Sequence, residues 1–352
     1  MARQDRDLAF MLQYENVAWY EDGKVRILDR RVYPTTVKYE VCKNHQEVAK
    51  AIADMVTQSA GPYTAAGMGM ALAAFEARDL KEESQLEYLR KAADTLSTAR
   101  PTTTKRMRII VDGCLEVAER ALKEGSKADQ AIFFHTVDHT DNRYRRIGKV
   151  AVNLVDLFPD KGTIMTQCFG ETIVGLMLRE AKERNKEIKV ICPETRPYFQ
   201  GARLTASVAQ DQGFDTTVIT DNMAAYVMEK KKVDIFTSAA DAICLDGHVV
   251  NKIGTYQIAI VAKYLGIPYF VTGIPDKGHE TIDTVTIEER DPDFVLQAMG
   301  VRTAMEGVKG YYPSFDATPP HLVSGVVTDR GIFSAYDLHR YFKDGEKAEL
   351  VL

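Results

Sequence analysis

Short apolar runs separated by polar turns fill the first forty residues. Asn16–Tyr20 and Val25–Leu28 are joined by Glu21-Asp22-Gly23-Lys24. An Asp-Gly between two such runs predicts a β-hairpin, and Val37–Cys42 offers a third strand. From Asn44 the period changes. Val48, Ala51, Ile52, Met55 and Val56 recur at helical spacing, and Asn44 followed three residues later by Glu47 has the spacing of a capping box. A helix is therefore expected from there to near Gln58. Ser59–Met70 is small and glycine-rich and leads into a helical run at Ala71–Ala77. Leu86–Leu96 predicts another helix, stopped at Ala99-Arg100-Pro101. Residues 105–123 and 127–157 are helical in pattern, with Gly125 as the break between them.

The second half reads differently. Thr163–Thr166, Lys189–Cys192, Asp215–Thr220, Asp234–Ser238 and Tyr269–Thr272 are short apolar runs, often β-branched. Helical patterns at 171–185, 200–212, 222–230 and 253–265 lie between most of them. Alternation at this spacing implies right-handed βαβ crossovers and a parallel sheet, which makes the fold class α/β. The expected division is a small β-sheet with helices over residues 1–145, then the parallel sheet flanked by helices over 146–352. Ligands bind outside the carboxyl ends of such strands.

Composition narrows the function. The chain has 352 residues, with 45 Lys+Arg against 50 Asp+Glu, a net charge of −5. Nucleic-acid binding needs a basic surplus, so no nucleic-acid partner is expected. The five cysteines show no CxxC pair, and the histidines form neither HExxH nor HxH, so no metal site is expected. No run approaches the roughly 18 apolar residues of a membrane span, and the N-terminus carries no long apolar stretch of a signal peptide. A cytoplasmic protein without a membrane partner is the expectation. No strand is followed by GxGxxG, since Gly67-Met68-Gly69 lies outside a strand–helix turn, so a nicotinamide cofactor is not expected.

Several residues at strand ends could carry chemistry. Cys168 follows a predicted strand and precedes a helix, where the helix dipole favours thiolate; its position equally fits a buried, inert thiol. Asp241, in SAADAICLDG, is placed either as a general acid or base or as a cap of the next turn. Asn251-Lys252-Ile253-Gly254-Thr255 is expected to open a helix, where Lys252 and backbone N–H groups suit a phosphate; an ordinary helix start with a solvated lysine is the alternative. Arg196, Gln200 and Arg203 follow another strand, with Pro197 suited to the first turn of a helix. Arg100 is a further cation. Arg145-Arg146 reads as a solvated helix face, His135, His139 and His279 as core or surface histidines, and Tyr198 and Phe199 as packing residues. These strand ends would all point to one edge of one sheet, which suits a phosphosugar.

The combination ETRPYFQGARLTA, ITDNMAA, DGHVVNKIGTYQIA, TIEERDP and SFDATPPHLVSGVVTDRGI, with LQYENVAWYEDGKVRILDRR and AAGMGMALAA upstream, resembles the methylthioribose-1-phosphate isomerase family over nearly the whole chain. The superfamily also includes ribose-1,5-bisphosphate isomerases and the regulatory subunits of translation initiation factor 2B. The resemblance implies an N-terminal small sheet with helices, a Rossmann-like catalytic domain and a homodimer. It implies the isomerisation of S-methyl-5-thioribose 1-phosphate to S-methyl-5-thioribulose 1-phosphate, a step of methionine salvage, or of a close analogue such as 5-deoxyribose 1-phosphate. No cofactor is implied. The alternatives are a non-catalytic subunit like those of the initiation factor, or a ribose-1,5-bisphosphate isomerase. Carried onto this sequence, the family's catalytic residues are Cys168 and Asp241. Its substrate contacts fall on Gln58, Ser59, Ala60, Arg100, Gln200, Asn251 and Lys252.

The chain departs from the family pattern in three places. The family's Arg-Gly-Ala-Pro reads Gln58-Ser59-Ala60-Gly61 here, Cys-Asn-Ala-Gly reads Cys168-Phe169-Gly170-Glu171, and the arginine after the catalytic aspartate is Ala242. Arginine and glutamine are not interchangeable at a bidentate phosphate site, which leaves Arg100 and Lys252 to hold the anion. The expected division of labour has Asp241 protonating the ring oxygen from a dry pocket that raises its pKa, with Cys168 relaying the proton at C1 and C2.

Overall fold

The computed structural model describes residues 3–100 and 104–343 and divides into two compact units, which part between Arg145 and Arg146.

In the first unit, α1 (Tyr14–Val17) leads into β1 (Ala18–Glu21) and β2 (Lys24–Leu28), an antiparallel hairpin to which β3 (Tyr39–Cys42) adds the third strand. The hairpin turn places Asp22 and Gly23 at φ of 49° and 69°, the left-handed pair that an Asp-Gly turn accommodates. Helix α2 (His45–Ala53) starts as expected. Asn44 Oδ1 accepts from the Glu47 N–H at 2.8 Å, and Glu47 Oε2 accepts from the Lys43 N–H at 2.7 Å. It ends earlier than the periodicity suggests, because Met55 turns to φ 61° and Val56 leaves the helix while remaining buried.

The helix expected at Ala71–Ala77 begins earlier, and the glycine-rich stretch belongs to it. It is the body of α3 (Gly61–Ala77), a helix buried on nearly every side among α2, α4 (Glu82–Ser97), α5 (Thr104–Lys123) and α6 (Ala128–Val155). Its glycines allow close packing. A Cβ on Gly67 would stand 2.6 Å from the Thr136 side chain, and one on Gly69 would stand 2.9 Å from Leu96. Alanine is worth roughly 1 kcal/mol over glycine in a helix interior. Here Thr136 is held by its own hydrogen bond to the Ile132 carbonyl, so the overpacking cost of about 1–3 kcal/mol outweighs that gain. Gly67→Ala is therefore expected to be net destabilising by about 1 kcal/mol in denaturant titration. Helix α6 is long enough to be shared between the two units.

The second unit is built on a seven-stranded sheet. β4 (Lys161–Thr166), β5 (Glu187–Pro193), β6 (Asp215–Ile219), β7 (Ile235–Ser238), β10 (Tyr269–Thr272) and β14 (Gly325–Thr328) are parallel, and β15 (Gly331–Phe333) closes one edge antiparallel to β14. The order is β15-β14-β10-β7-β4-β5-β6. Helices α7 (Glu171–Glu183), α8 (Ala206–Asp211), α9 (Ala224–Lys230) and α10 (Thr255–Tyr264) occupy the connections. The chain runs outward from β4 through β5 to β6, then returns to β7 on the other side of β4. This is the doubly wound order, and its switch point lies between β4 and β7. A smaller antiparallel sheet, β8 (Ala242–Ile243), β9 (Val249–Lys252) and β13 (Phe315–Thr318), lies beyond the carboxyl end of β7, and β11 (Gln297–Ala298) pairs with β12 (Val301–Arg302). Among the described residues no helix is long and apolar enough to cross a membrane.

Candidate active site

The two residues flanking the switch point are Cys168, two positions past the end of β4, and Asp241, three past the end of β7. Cys168 has φ 61°, a left-handed conformation that costs a non-glycine residue roughly 1–2 kcal/mol. Its carbonyl accepts a short hydrogen bond from the buried hydroxyl of Thr205, in the π-helical turn Gly201–Thr205 that precedes α8. Thr195 and Phe199, after β5, are also left-handed, at 62° and 57°. Strain is thus concentrated at the carboxyl edge of the sheet, where Asp221 braces the β5 loop by accepting from the N–H groups of Thr195 and Arg196 at 2.8 and 2.7 Å.

Position beside a helix start does not make Cys168 a thiolate. Burial pushes its thiol up to about 11. The Lys252 charge and the Phe169 N–H pull it down and Asp241 pushes it further up, so loss of water outweighs the favourable field. The residue keeps a partly exposed surface, so a reagent can reach a thiol that is nonetheless protonated at neutral pH. Alkylation of Cys168 by iodoacetamide is expected to be slow at pH 7 and to quicken about tenfold per pH unit up to pH 10. A rate already level below pH 7 would contradict this.

Asp241 is exposed, which corrects the dry pocket expected around it. Its backbone N–H donates to the Val250 carbonyl at 2.8 Å, and this bond folds the β8–β9 hairpin back toward it. Asn251 and Lys252 then lie on β9 rather than opening a helix. Asn251 Nδ2 donates to Thr255 Oγ1 at 3.0 Å. Gly254, at φ 101°, makes the turn into α10 that a side chain would strain.

The start of α10 is not an open phosphate cradle either. Asp316, on β13 opposite Asn251, fills it, accepting from the N–H groups of Gly254 at 2.7 Å and Tyr256 at 3.2 Å. Burial pushes Asp316 up to about 6, against the pull of those N–H groups and of Lys252. A carboxyl whose pKa rises on folding stabilises the protein below its unfolded value, near 3.8, and loses that contribution as pH climbs through 6. Relative to Asp316→Asn, the wild type should lose on the order of 3 kcal/mol of stability between pH 4 and 7, measured by urea unfolding at each pH.

Lys252 is the most informative residue of the site. It is only 4% exposed, and its ammonium makes no hydrogen bond or ion pair with any described residue. Only ring faces approach it, Phe315 at 4.8 Å and Tyr312 at 5.8 Å from the centroids. Burial depresses its pKa, while Cys168 and Asp241 are near enough for their charges to be felt. Two buried amides of the strand-end loops lack complete partners. The oxygens of Gln167 and Gln200 have none, although Gln167 Nε2 donates to the Ile253 carbonyl at 3.3 Å. Buried charges are normally paired, so a buried ammonium without an acceptor among the described residues suits an anion, and the amide oxygens suit a hydroxyl donor.

The other expected cations are engaged. Arg196 donates to the Gln297 carbonyl at 2.7 Å, and Arg203 to the Tyr198 carbonyl at 2.6 Å. Pro197 lies in the loop ahead of the helical turn, not within it. Arg146 is no solvated face, because it pairs with Asp329 at 2.7 Å and with the Tyr341 hydroxyl. In the first unit, Gln58 is buried. Its carbonyl accepts from Arg30 at 2.8 Å, and its side-chain oxygen has no partner. Ser59 is left-handed, and the Ala60 carbonyl accepts from Arg143 at 3.1 Å. Arg100 is half-buried after α4, beside residues 101–103, which lie outside the described set. A cavity of about 710 Å³ opens at the amino ends of β4–β6, but its lysines are tied to Glu187, Asp160, Asp215 and the Gln212 carbonyl. Among the described residues no group of three or more His, Cys, Asp or Glu side chains is placed to hold a metal ion. Sequence reasoning passed over Gln167 and Asp316. Only the distant pairing of β9 with β13 brings Asp316 to α10.

Fold and site together define a doubly wound α/β protein with a thiol, a carboxyl group and a buried ammonium at its switch point. The chain belongs to the initiation factor 2 subunit family, whose pattern matches residues 58–335. A methylthioribose-1-phosphate isomerase of Pseudothermotoga lettingae is 36% identical over 87% of this chain and 91% of its own length. A putative one of Methanocaldococcus jannaschii is 36% identical over 90% and 94%. The crystal structure of the Pyrococcus horikoshii 5-methylthioribose 1-phosphate isomerase superposes with a TM-score of 0.82 at 28% identity, over 95% of this chain and 98% of that one. The A. fulgidus translation initiation factor eIF-2B subunit delta gives 0.79 at 33% identity, over 90% and 95%.

Proposed function

We propose that the protein is an aldose–ketose isomerase that converts S-methyl-5-thioribose 1-phosphate into S-methyl-5-thioribulose 1-phosphate, the activity its relatives are named for. The observation that carries this reading is Lys252, a buried ammonium with no ion pair among the described residues, near enough to Cys168 and Asp241 to feel their charges. A phosphate on C1 blocks spontaneous opening of the sugar ring. The site must therefore protonate the ring oxygen and move a hydrogen from C2 to C1.

The protonation state of Cys168 exchanges the roles expected from sequence. A thiol pushed up to about 11 enters as a proton donor, and Asp241 serves as the base. With Lys252 holding the phosphate, Cys168 gives its proton to the ring oxygen as the C1–O bond breaks. Asp241 takes the proton from C2, exchanges it with solvent at its exposed carboxyl group, and delivers a proton to C1. The 2-hydroxyl proton passes to the thiolate, which the Lys252 charge stabilises. C1 is reduced, C2 is oxidised, and both side chains end as they began.

NMR of the aldose 1-phosphate with purified protein in D2O tests the proposal. Ketose formation with deuterium at C1 is expected. Absence of turnover overturns the enzyme reading in favour of a non-catalytic subunit. Turnover without deuterium overturns the Asp241 shuttle. The same resemblance supports a cytoplasmic homodimer; light scattering is expected to give twice the 39.4 kDa chain mass.

A further inference from the structure

Beside Lys252 stands a second cation that the resemblance does not assign. The segment Glu288–Arg290 runs antiparallel to Tyr312–Ser314. Arg290 N–H donates to the Tyr312 carbonyl at 3.0 Å, Ser314 N–H donates to the Glu288 carbonyl at 2.8 Å, and Glu289 bridges Pro313. The chain then enters β13, where Phe315 pairs with Lys252. This register sets Arg290 and Lys252 against one aromatic cluster. The Arg290 guanidinium lies 6.0 Å from the Phe315 ring centre and 5.8 Å from that of Tyr198, and the Lys252 ammonium 4.8 Å from that of Phe315.

Like charges are not gathered in a partly desolvated place without a reason. The Arg290 side chain is 12% exposed. Glu288 occupies one edge of its fork, at 2.9 Å from Nε and 3.4 Å from Nη2. Apart from the nearby Tyr312 hydroxyl, the outer edge, between Nη1 and Nη2, meets no acceptor among the described residues. The buried Tyr312 hydroxyl stands beside the Arg290 guanidinium, and its own proton has no acceptor among the described residues. A point charge, the outer edge of a planar fork and a buried hydroxyl with a proton to donate form a donor set for a tetrahedral oxyanion.

We propose that Arg290, aimed by Glu288, is a second phosphate-binding residue of the site, receiving the oxyanion together with Lys252 and the Tyr312 hydroxyl. This rests on the reading of the site as one for a sugar phosphate. Inorganic phosphate serves as the probe, both by calorimetric titration and as a competitive inhibitor of turnover.

In Arg290→Gln the phosphate Kd, its Ki and the KM for the aldose 1-phosphate are expected to rise together by about 10–100-fold, the worth of one charge-assisted hydrogen-bonded contact. Most of the loss in kcat/KM then falls in KM. Arg290→Lys, which keeps the charge and loses the fork, should recover only part of the affinity, and it carries the test if the glutamine variant does not fold. A purely structural role would lower the thermal midpoint and leave the phosphate constants of the folded variants at wild-type values, which overturns the proposal. A wild type that binds phosphate through Arg290 but turns over no sugar overturns the isomerase reading alone.

Discussion

Replacing Asp241 with asparagine is expected to lower kcat for the aldose 1-phosphate by about 10²–10⁴-fold, the contribution of one positioned proton-transfer group. The substitution is isosteric. The contact that folds the β8–β9 hairpin is made by the Asp241 N–H, which the substitution keeps. Inorganic phosphate should still bind, because Lys252 remains buried against its aromatic faces. Turnover is followed by NMR and phosphate binding by calorimetry. A variant that turns over at the wild-type rate would remove Asp241 from the reaction.

Lys252→Met is expected to do two opposite things. The ammonium is buried without an ion pair among the described residues, and its contacts with Phe315 and Tyr312 recover only about 1–2 kcal/mol. Its desolvation costs several kcal/mol, so a linear apolar side chain in the same channel should raise stability by about 1–3 kcal/mol. The same change removes the point charge facing the anion, and phosphate affinity should fall about 10–100-fold. Urea unfolding and phosphate titration on one preparation separate the two effects. A destabilised variant would mean that Lys252 is satisfied in a way its surroundings do not show. An unchanged phosphate Kd would place the anion elsewhere.

Local pattern made much of the architecture legible. The Asp-Gly turn, the Asn44–Glu47 cap, the Gly125 break and five of the parallel strands follow from periods of 2 and 3.6 and from turn chemistry, which act over a few residues. The same reasoning placed a helix only at Ala71–Ala77 and left the glycines before it unassigned, because their purpose is close contact with Thr136 and Leu96, distant in sequence. It also missed β8, β9, β13, β14 and β15, which are two to four residues long and pair across wide separations.

For the site, residue types and family spacing singled out Cys168, Asp241, Gln200, Asn251 and Lys252 from sequence alone. Their states came from burial, a property of the whole second unit. Position left Cys168 open between a thiolate favoured by the helix start and a buried thiol, and lost hydration pushes it toward the protonated form. Lys252 was weighed as a solvated side chain or a helix-start anion ligand. It proved to be a buried strand residue, with the helix start beyond it already filled by Asp316. Sequence by itself determined which chemical groups stand at the carboxyl edge of the sheet, since chain order and strand period decide that. Only the tertiary structure decided their protonation and their partners, because water exclusion and cross-strand register arise from segments far apart in the chain.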